Sequence, residues 1–329
     1  MKNKNIYTDL ATETRDLYLQ DSQEDEIDGI DFNIFEDDEY SVKISFIEIL
    51  NEKGEKSMGK PIGSYVTLES DELKVNDIDA HEKIIKLLAD EIGKLHKLSE
   101  KSSVLIIGLG NRSVTPDSLG PKVVSKILVT RHIKEVLPES LGDGVRSVSA
   151  LSPGVMGMTG IETKETVKGV VDRIKPDLVI AIDALAARSV SRINSTIQLS
   201  DTGISPGAGL GNNRKKLDIE TLGVKVLAIG VPTVVDAATL INDSLDKILD
   251  EMIQECSESS YFYEMLNSLS SEEKHGLISN ILAPCDGNMF VTPKEVDATI
   301  DRLSNIIANA INIALHPNIT KEDINRYMY

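Results

Sequence analysis

Residues 102–121 read Ser-Ser-Val-Leu-Ile-Ile-Gly-Leu-Gly-Asn-Arg-Ser-Val-Thr-Pro-Asp-Ser-Leu-Gly-Pro, and this stretch decides the fold. The apolar run Val104–Ile107 predicts a buried strand that enters a glycine turn, and Asp117 follows at a predicted helix entrance. A second apolar strand, Leu178–Ile182, leads directly into Asp183. Ligands of open α/β sheets bind beyond the carboxyl ends of the strands, so both acids are expected to face one cleft. Two carboxylates in one cleft are a candidate acid/base pair.

The flanking sequence predicts an α/β protein with a twisted, mainly parallel central sheet flanked by helices. An N-terminal β-hairpin is expected from Tyr40–Leu50, a polar turn at Asn51–Lys56 and a returning strand at Gly63–Glu69. The C-terminal third is expected to be helical. The remaining predicted strands are Val224–Ile229 and Ser195–Leu199, and the predicted helices are Asp79–Leu98, Ser118–Ile133, Lys164–Ile174, Val234–Glu255, Tyr261–Leu282 and Pro293–Leu315, the last capped by Thr292.

Charge, apolar runs and cysteine spacing argue against a nucleic-acid-binding protein, a membrane protein and a zinc protein. The 329-residue chain carries a net charge of −18, and residues 1–40 hold 13 acids against three bases. We therefore expect a solvated acidic leader at about residues 10–40 and no direct nucleic-acid binding. No apolar run approaches the roughly 20 residues of a membrane span, and no secretory signal is visible, which predicts a cytoplasmic protein without membrane contact. Cys256 and Cys285 show neither a disulfide nor a zinc pattern, so we expect no metal site and no cofactor.

Other chemistries fit the sequence less well. Gly108-Leu-Gly110 follows a strand, but Ser113 stands where a dinucleotide fingerprint has its third glycine, so a nucleotide-binding module rests on a weak motif. The five histidines lack metal-ligand spacing, and no Gly-x-Ser-x-Gly pentapeptide occurs. Structural roles remain open for the acids: Asp117 can cap a helix, and Asp183 can pair with Arg188.

Four longer motifs carry a resemblance to a known family. They are Gly108-Leu-Gly-Asn111 with Thr115-Pro-Asp-Ser-Leu-Gly-Pro121, Ala181-Ile-Asp-Ala-Leu-Ala-Ala-Arg-Ser189, Ser200-Asp-Thr-Gly-Ile-Ser-Pro-Gly207 and Ala228-Ile-Gly-Val-Pro-Thr-Val-Val-Asp-Ala237, supported by Gly59-Lys-Pro-Ile-Gly63. Together they resemble the spore germination proteases of spore-forming Firmicutes, from about Tyr7 to Ile300. The family is similar in fold to the hydrogenase maturation proteases.

The resemblance implies a specific activity. It predicts a tetrameric endopeptidase of the forespore and spore core that is made as a zymogen and degrades small acid-soluble proteins coating spore DNA. The family's two essential aspartates fall on Asp117 and Asp183. If their carboxyls lie close together, one stays protonated while the other activates water. A metal-dependent peptidase of the maturation type is the alternative that the related family implies.

The amino terminus resembles the family's own cleavage sequence. Thr8-Asp-Leu-Ala-Thr-Glu13 has an acid, a large apolar residue, alanine, a hydroxyl residue and glutamate in the order of family substrates. We therefore expect residues 1–9 to be a propeptide, removed by self-cleavage between Asp9 and Leu10, and residues 10–329 to form one peptidase domain. The acids of the substrate would be bound by Arg188, Arg192 or Arg214.

Overall fold

The computed structural model describes residues 8–22, 26–37, 40–136, 144–205, 215–237 and 289–318, with isolated positions between 239 and 251. These residues form a mixed α/β fold with one nine-stranded sheet and helices on both of its faces, which confirms the predicted fold class. The described strands are β1 Ile30–Asp37, β2 Val42–Ile49, β3 Gly63–Glu69, β4 Ser103–Gly108, β5 Ser147–Leu151, β6 Leu178–Ala187, β7 Thr196–Ser200, β8 Lys225–Asp236 and β9 Phe290–Val291. The described helices are α1 Ala11–Ser22, α2 Glu52–Met58, α3 Ile78–Leu95, α4 Leu119–Val124, α5 Arg131–Val136, α6 Met156–Thr159, α7 Thr163–Ile174, α8 Ile219–Leu222 and α9 Val296–Leu315.

The sheet has a parallel half and an antiparallel half that meet at β8. Its strand order is β1-β2-β3-β7-β8-β6-β4-β5, with β9 paired to β8. The strands β8, β6, β4 and β5 are parallel, whereas β1, β2, β3 and β7 pair in antiparallel fashion and join the parallel half through β7 and β8. The predicted hairpin is confirmed as the β2–β3 pair, and β1 extends it.

Each face of the sheet has its own buried layer. One layer joins strand residues such as Ile180 and Ile182 to α3, α4 and α9. The opposite layer contains Val179, Ala181 and Leu185 together with residues of α7 and α8, and it also contains Leu10, the residue before α1. We call this second side the α1 face. Because side chains alternate along a strand, Asp183 lies on the α1 face with Ala181 and Leu185.

The acidic leader is folded against the sheet, so the expectation of a solvated arm was wrong. Leu10 and Ala11 have no exposed surface, and Ile27 is also buried. The leader supplies α1 and β1, and β1 adds a strand to the edge of the hairpin. A few apolar anchors outweigh the charge of the segment, and among its described acids Glu13 and Asp28 are paired with donors or cations.

Several predicted local structures differ from the observed ones. The predicted turn at Asn51–Lys56 is helix α2, capped by the Asn51 side chain, which accepts from the backbone N–H groups of Lys53 and Gly54. The predicted helix Ser118–Ile133 is interrupted after α4. The last helix begins at Val296, since the hydroxyl of Thr292 donates to the Thr233 carbonyl instead of capping it.

Two strands are longer than the sequence pattern predicts. The strand β6 continues through Asp183 to Ala187, so this acid lies inside the strand and not after it. The strand β8 continues to Asp236 and includes the first residues of the helix predicted over Val234–Glu255. The predicted helix Tyr261–Leu282 and both cysteines lie outside the described residues.

Candidate active site

Asp117 is held by the turn that follows β4. Gly110 has a φ of +103°, and a Cβ at this position would stand 2.1 Å from the Asp117 carbonyl oxygen. The N–H of Asn111 donates to the Asp117 carboxylate at 2.7 Å. A short 3-10 helix, Thr115–Asp117, carries the acid, and the Pro116 carbonyl accepts a hydrogen bond from Thr233 of β8 at 2.8 Å. The side chain of Asp117 is therefore oriented by its own turn and tied to the central strands.

The same turn shows why Gly108-Leu-Gly110 does not resemble a phosphate cradle in structure. The N–H of Leu109 donates to the Ile182 carbonyl at 2.8 Å, and that of Asn111 donates to Asp117. A phosphate loop needs such N–H groups to point at the ligand. Here they have partners within the chain.

Asp183 is a buried carboxylate in the middle of the sheet. Only 4% of its surface is exposed, and the N–H of Ala184 donates to it at 2.9 Å. In the sheet register Asp183 is opposite Gly230 of β8, and Gly230 is in turn opposite Gln198 of β7. Asp183 and Gln198 therefore flank a glycine on the same face, about 10 Å apart at two strand spacings. The Leu185 side chain fills the position that a Gly230 side chain would take, since a Cβ there would stand 2.4 Å from a Leu185 methyl carbon.

The two aspartates are connected through the end of β4. Ile182, the residue before Asp183, accepts the hydrogen bond from Leu109 in the turn that carries Asp117. The 3-10 helix ending at Asp117 also packs against β6 and β8. Asp117 therefore lies in the turn after the carboxyl end of β4, whereas Asp183 lies inside β6, next to the residue that this turn contacts.

The Thr8–Glu13 segment is docked along β6. The Asp9 N–H donates to the Ala186 carbonyl at 3.1 Å, and the Ala186 N–H donates to the Asp9 carboxylate at 2.9 Å. Leu10 is fully buried in the layer that contains Leu109 and Leu185. The predicted cleavage segment thus lies on the α1 face, three residues along the strand from Asp183.

Two side chains hold the carbonyl between Asp9 and Leu10. The Lys60 ammonium donates to the Asp9 carbonyl oxygen at 2.9 Å, and the Gln198 amide donates to it at 3.1 Å. The amide oxygen of Gln198 also accepts from the Ala11 N–H at 2.7 Å, so Gln198 holds the chain on both sides of Leu10. Lys60 keeps part of its surface in solvent, but burial of its ammonium lowers the pKa, and the charges of Asp9 and Glu13 only partly oppose this.

Glu13 occupies a site built from backbone groups. Its carboxylate accepts from the N–H groups of Arg188 at 2.8 Å and Ser189 at 2.9 Å, and from the hydroxyl of Thr8. The Arg192 guanidinium lies 3.6 Å from it. With 5% of its surface exposed, Glu13 is a buried acid whose charge is matched by donors.

Arg192 connects the docked segment to the sheet. Its guanidinium forms ion pairs with Glu69 of β3 and with Asp16 of α1, and donates to the Thr12 hydroxyl at 3.1 Å. This arginine therefore contacts Glu69 of the sheet and both Thr12 and Asp16 of α1, beside the Glu13 carboxylate.

A cavity of about 380 Å³ opens beside the docked carbonyl. Thr8, Asp9, Lys60 and Gln198 line it, together with Tyr65. Burial raises the pKa of Tyr65 to about 12, so its hydroxyl stays neutral and donates to the Pro61 carbonyl. Leu185 and Gly230, which neighbour Asp183, also line the cavity, whereas Asp117 and Asp183 themselves do not.

The structure brings together most of the residues singled out in the sequence. Asp9, Leu10, Asp183, Arg188 and Arg192 meet on or beside β6, and Asp117 lies at the adjoining turn; Arg214 lies outside the described residues. Sequence reasoning missed the roles of Lys60 and Gln198. The signals were present: Lys60 stands in the Gly59-Lys-Pro-Ile-Gly63 motif, and Gln198 is a polar residue within a buried strand.

The described residues contain neither a cluster of metal-binding side chains nor a membrane-spanning helix. No group of three or more histidine, cysteine, aspartate or glutamate side chains that could hold a metal ion occurs among them. Within the same part of the chain, no helix has the length and apolar character required to cross a membrane.

Comparison with known proteins places the chain in a family. The profile of the family described as germination protease matches residues 8–267 and 250–328. A germination protease of Caldanaerobacter subterraneus subsp. tengcongensis is 50% identical over 324 residues, which cover 98% of each chain. One from Clostridium perfringens is 49% identical and covers 98% of this chain and 99% of its own. One from Priestia megaterium is 42% identical over 362 aligned positions, covering 98% and 97%. The chain belongs to the germination protease family and is a peptidase.

Proposed function

We propose that this chain is an endopeptidase that starts the degradation of small acid-soluble spore proteins during germination. It is made as a zymogen, cleaves itself between Asp9 and Leu10, and uses Asp117 and Asp183 to activate water. The observation that carries the proposal is the docking of Thr8–Glu13 along β6, the strand that holds Asp183. The segment that resembles the family's cleavage sequence is docked there, with Thr8–Leu10 before α1 and Ala11–Glu13 at the start of that helix.

The proposed chemistry requires the carboxyls of Asp117 and Asp183 to lie close together. Repulsion between like charges then keeps one acid protonated while the other is ionised. The ionised acid takes a proton from water as the water oxygen attacks the Asp9 carbonyl carbon. The protonated acid supplies the proton that the leaving nitrogen of Leu10 requires. The result is an atypical aspartic mechanism.

We assign the recognition of acidic substrate residues to the surface that binds Glu13. The Glu13 site supports the expectation that Arg188 and Arg192 bind substrate, Arg188 through its backbone N–H and Arg192 through its guanidinium. In a substrate protein, the glutamate three residues after the counterpart of Leu10 would occupy the site that holds Glu13 here. This site explains how a protein with a net charge of −18 can bind acidic segments.

The experiment follows the formation of a new amino terminus. Purified full-length chain is incubated at mildly acidic pH, and intact-mass measurements record loss of residues 1–9. We expect a terminus at Leu10, formed at a rate that does not depend on protein concentration, because the segment is docked on its own chain.

The variants Asp117→Asn and Asp183→Asn should fold with unchanged thermal unfolding behaviour within a few degrees but form no Leu10 terminus. Asp172→Asn, at an exposed carboxylate of α7 paired with Lys168, is the matched control and should be processed normally. Normal processing by either active-site variant, or a terminus elsewhere, would overturn the proposal.

Three further parts of the proposal follow from the resemblance. The expected homotetramer is checked by sedimentation equilibrium, and the location in the forespore and spore core by imaging a fluorescent fusion. A fold in common with the hydrogenase maturation proteases is checked by superposition on a solved member of that family. A monomer, a vegetative location or a different strand order would reject the respective part.

A further inference from the structure

We infer that Lys60 and Gln198 form the oxyanion site of this peptidase, with Lys60 as the charged donor to the carbonyl of the bond that is cut. The inference rests on the proposed cleavage between Asp9 and Leu10. It assigns a catalytic role to two residues outside the pair of aspartates.

The geometry of the two donors matches what such a site requires. The Lys60 ammonium and the Gln198 amide lie 2.9 and 3.1 Å from the Asp9 carbonyl oxygen. Donors that stabilise a developing oxyanion lie about 2.7–3.1 Å from the position of that oxygen. They converge on one oxygen from different parts of the sheet, since Lys60 precedes β3 and Gln198 is in β7.

The sheet register fixes one donor relative to an acid. Gln198 and Asp183 share one row of the sheet, with Gly230 between them. Residues paired across neighbouring strands direct their side chains to the same face. The Gln198 amide and the Asp183 carboxylate therefore lie on one face of the sheet, with the Leu185 side chain over Gly230.

The surroundings make the lysine an effective donor. Its side chain is only partly exposed; burial lowers the pKa of Lys60, and the charges of Asp9 and Glu13 oppose this by favouring the ammonium form. A charged donor that has already lost its water needs little reorganisation when negative charge develops on the substrate oxygen. A surface lysine in full solvent would contribute much less.

These groups account for every proton and electron pair that moves during hydrolysis. The water oxygen bonds to the Asp9 carbonyl carbon, its proton passes to the ionised aspartate, and the electron pair of the C=O double bond moves to the oxygen held by Lys60 and Gln198. Collapse of this intermediate restores the carbonyl and breaks the bond to the Leu10 nitrogen. That nitrogen receives the proton from the acid partner.

The test uses the full-length chain and the rate of Leu10 terminus formation. Lys60→Met keeps the length of the side chain but removes its charge, and should slow self-cleavage about 10²–10³-fold, the usual cost of losing one oxyanion donor. Lys60→Arg keeps a cationic donor and should retain more activity than the methionine variant. Lys53→Met makes the same chemical change at an exposed lysine paired with Asp28 and should cleave at the original rate.

A second measurement separates catalysis from simple anchoring. Lys60→Met is combined with Asp183→Asn, a variant that cannot cleave itself if the proposed function is right. Amide hydrogen exchange at Ala11 and Ala186 in the double variant then reports whether the segment stays docked. Slow cleavage with retained protection supports the oxyanion role. An unchanged rate in Lys60→Met, or a slow rate accompanied by lost protection, overturns it. Cleavage by Asp183→Asn alone would instead overturn the proposed function.

Discussion

At the scale of single residues, the site depends on buried polar groups that have found partners. Glu13 is the clearest case, because a carboxylate with 5% exposure would be costly without its donors from Arg188, Ser189 and Thr8. Asp9 and Ala186 form a second paired contact on the same segment. The docking of the cleavage segment is therefore polar and specific, with Leu10 as its apolar anchor.

Replacing Glu13 by glutamine tests how much this site contributes to self-cleavage. The amide has one acceptor oxygen in place of two and directs an NH₂ group at a backbone donor, a loss of about 1.5–3 kcal/mol for hydrogen bonds to a charged group. We expect Glu13→Gln to form the Leu10 terminus about 10–100-fold more slowly, as followed by intact-mass measurement. The control Glu135→Gln, at an exposed ion pair with Arg131 in α5, should change the rate less than about threefold. Equal rates for the two variants would contradict the role assigned to Glu13.

At the scale of elements, the turn after β4 positions Asp117. Gly110 needs its φ of +103° and its missing side chain, because a Cβ would collide with the Asp117 backbone and carboxylate. The predicted glycine turn is thus confirmed, but its purpose differs from phosphate binding. It allows the 3-10 helix at Thr115–Asp117 to fold back onto β6 and β8.

The substitution Gly110→Ala should damage this element. The positive φ and the contact at 2.1 Å together predict a loss of about 3 kcal/mol in the free energy of unfolding, or displacement of Asp117 with loss of self-cleavage. Gly169→Ala in α7 is the matched control, since a Cβ there meets nothing within 4 Å. An alanine inside that helix should be neutral or stabilise the protein by up to about 1 kcal/mol. Urea unfolding measures both, and a neutral result for Gly110→Ala would contradict the argument.

At the scale of the whole molecule, the end of α9 closes the layer opposite the α1 face. His316 follows α9, is fully buried, and accepts a hydrogen bond from the Arg146 N–H at 3.3 Å. Burial lowers the pKa of His316 from 6.5 to about 4, and the charges of Arg146 and Lys134 add to this, while the Leu128 backbone opposes it. The folded protein therefore keeps this imidazole neutral where the unfolded chain protonates it.

This difference predicts a loss of stability in acid. The contribution of His316 is fully present above pH 6.5 and falls as the pH drops toward 4, by roughly 3 kcal/mol for a shift of this size. Urea unfolding at pH 7.5 and 4.5 measures this loss, in the Asp183→Asn background so that the chain stays uncleaved. Between these two pH values the free energy of unfolding should fall by roughly 2–3 kcal/mol less in His316→Asn than in the parent protein. The exposed His132→Asn serves as control and should keep the original slope. Equal slopes for all three proteins would refute the assignment.

The sequence by itself determined the α/β class, the β2–β3 hairpin, the glycine turn and the candidate acids. These features are local: apolar periodicity, turn residues and short motifs act over a few positions along the chain. The sequence pattern also ended β6 too early, because Asp183 was taken as a strand terminus when its pairing with Gly230 continues the strand. A polar residue interrupts an apolar pattern but does not interrupt a backbone ladder.

Only the tertiary structure decided which distant residues meet. Lys60, Gln198 and Asp9 are far apart in sequence, and they converge because β7 pairs with β3 on one side and with β8 on the other. The burial of Leu10 likewise depends on the layer built by β4 and β6, which the leader sequence does not reveal. Strand order and register are set by the packing of the whole sheet, and this is the physical reason that the site is assembled only by the fold.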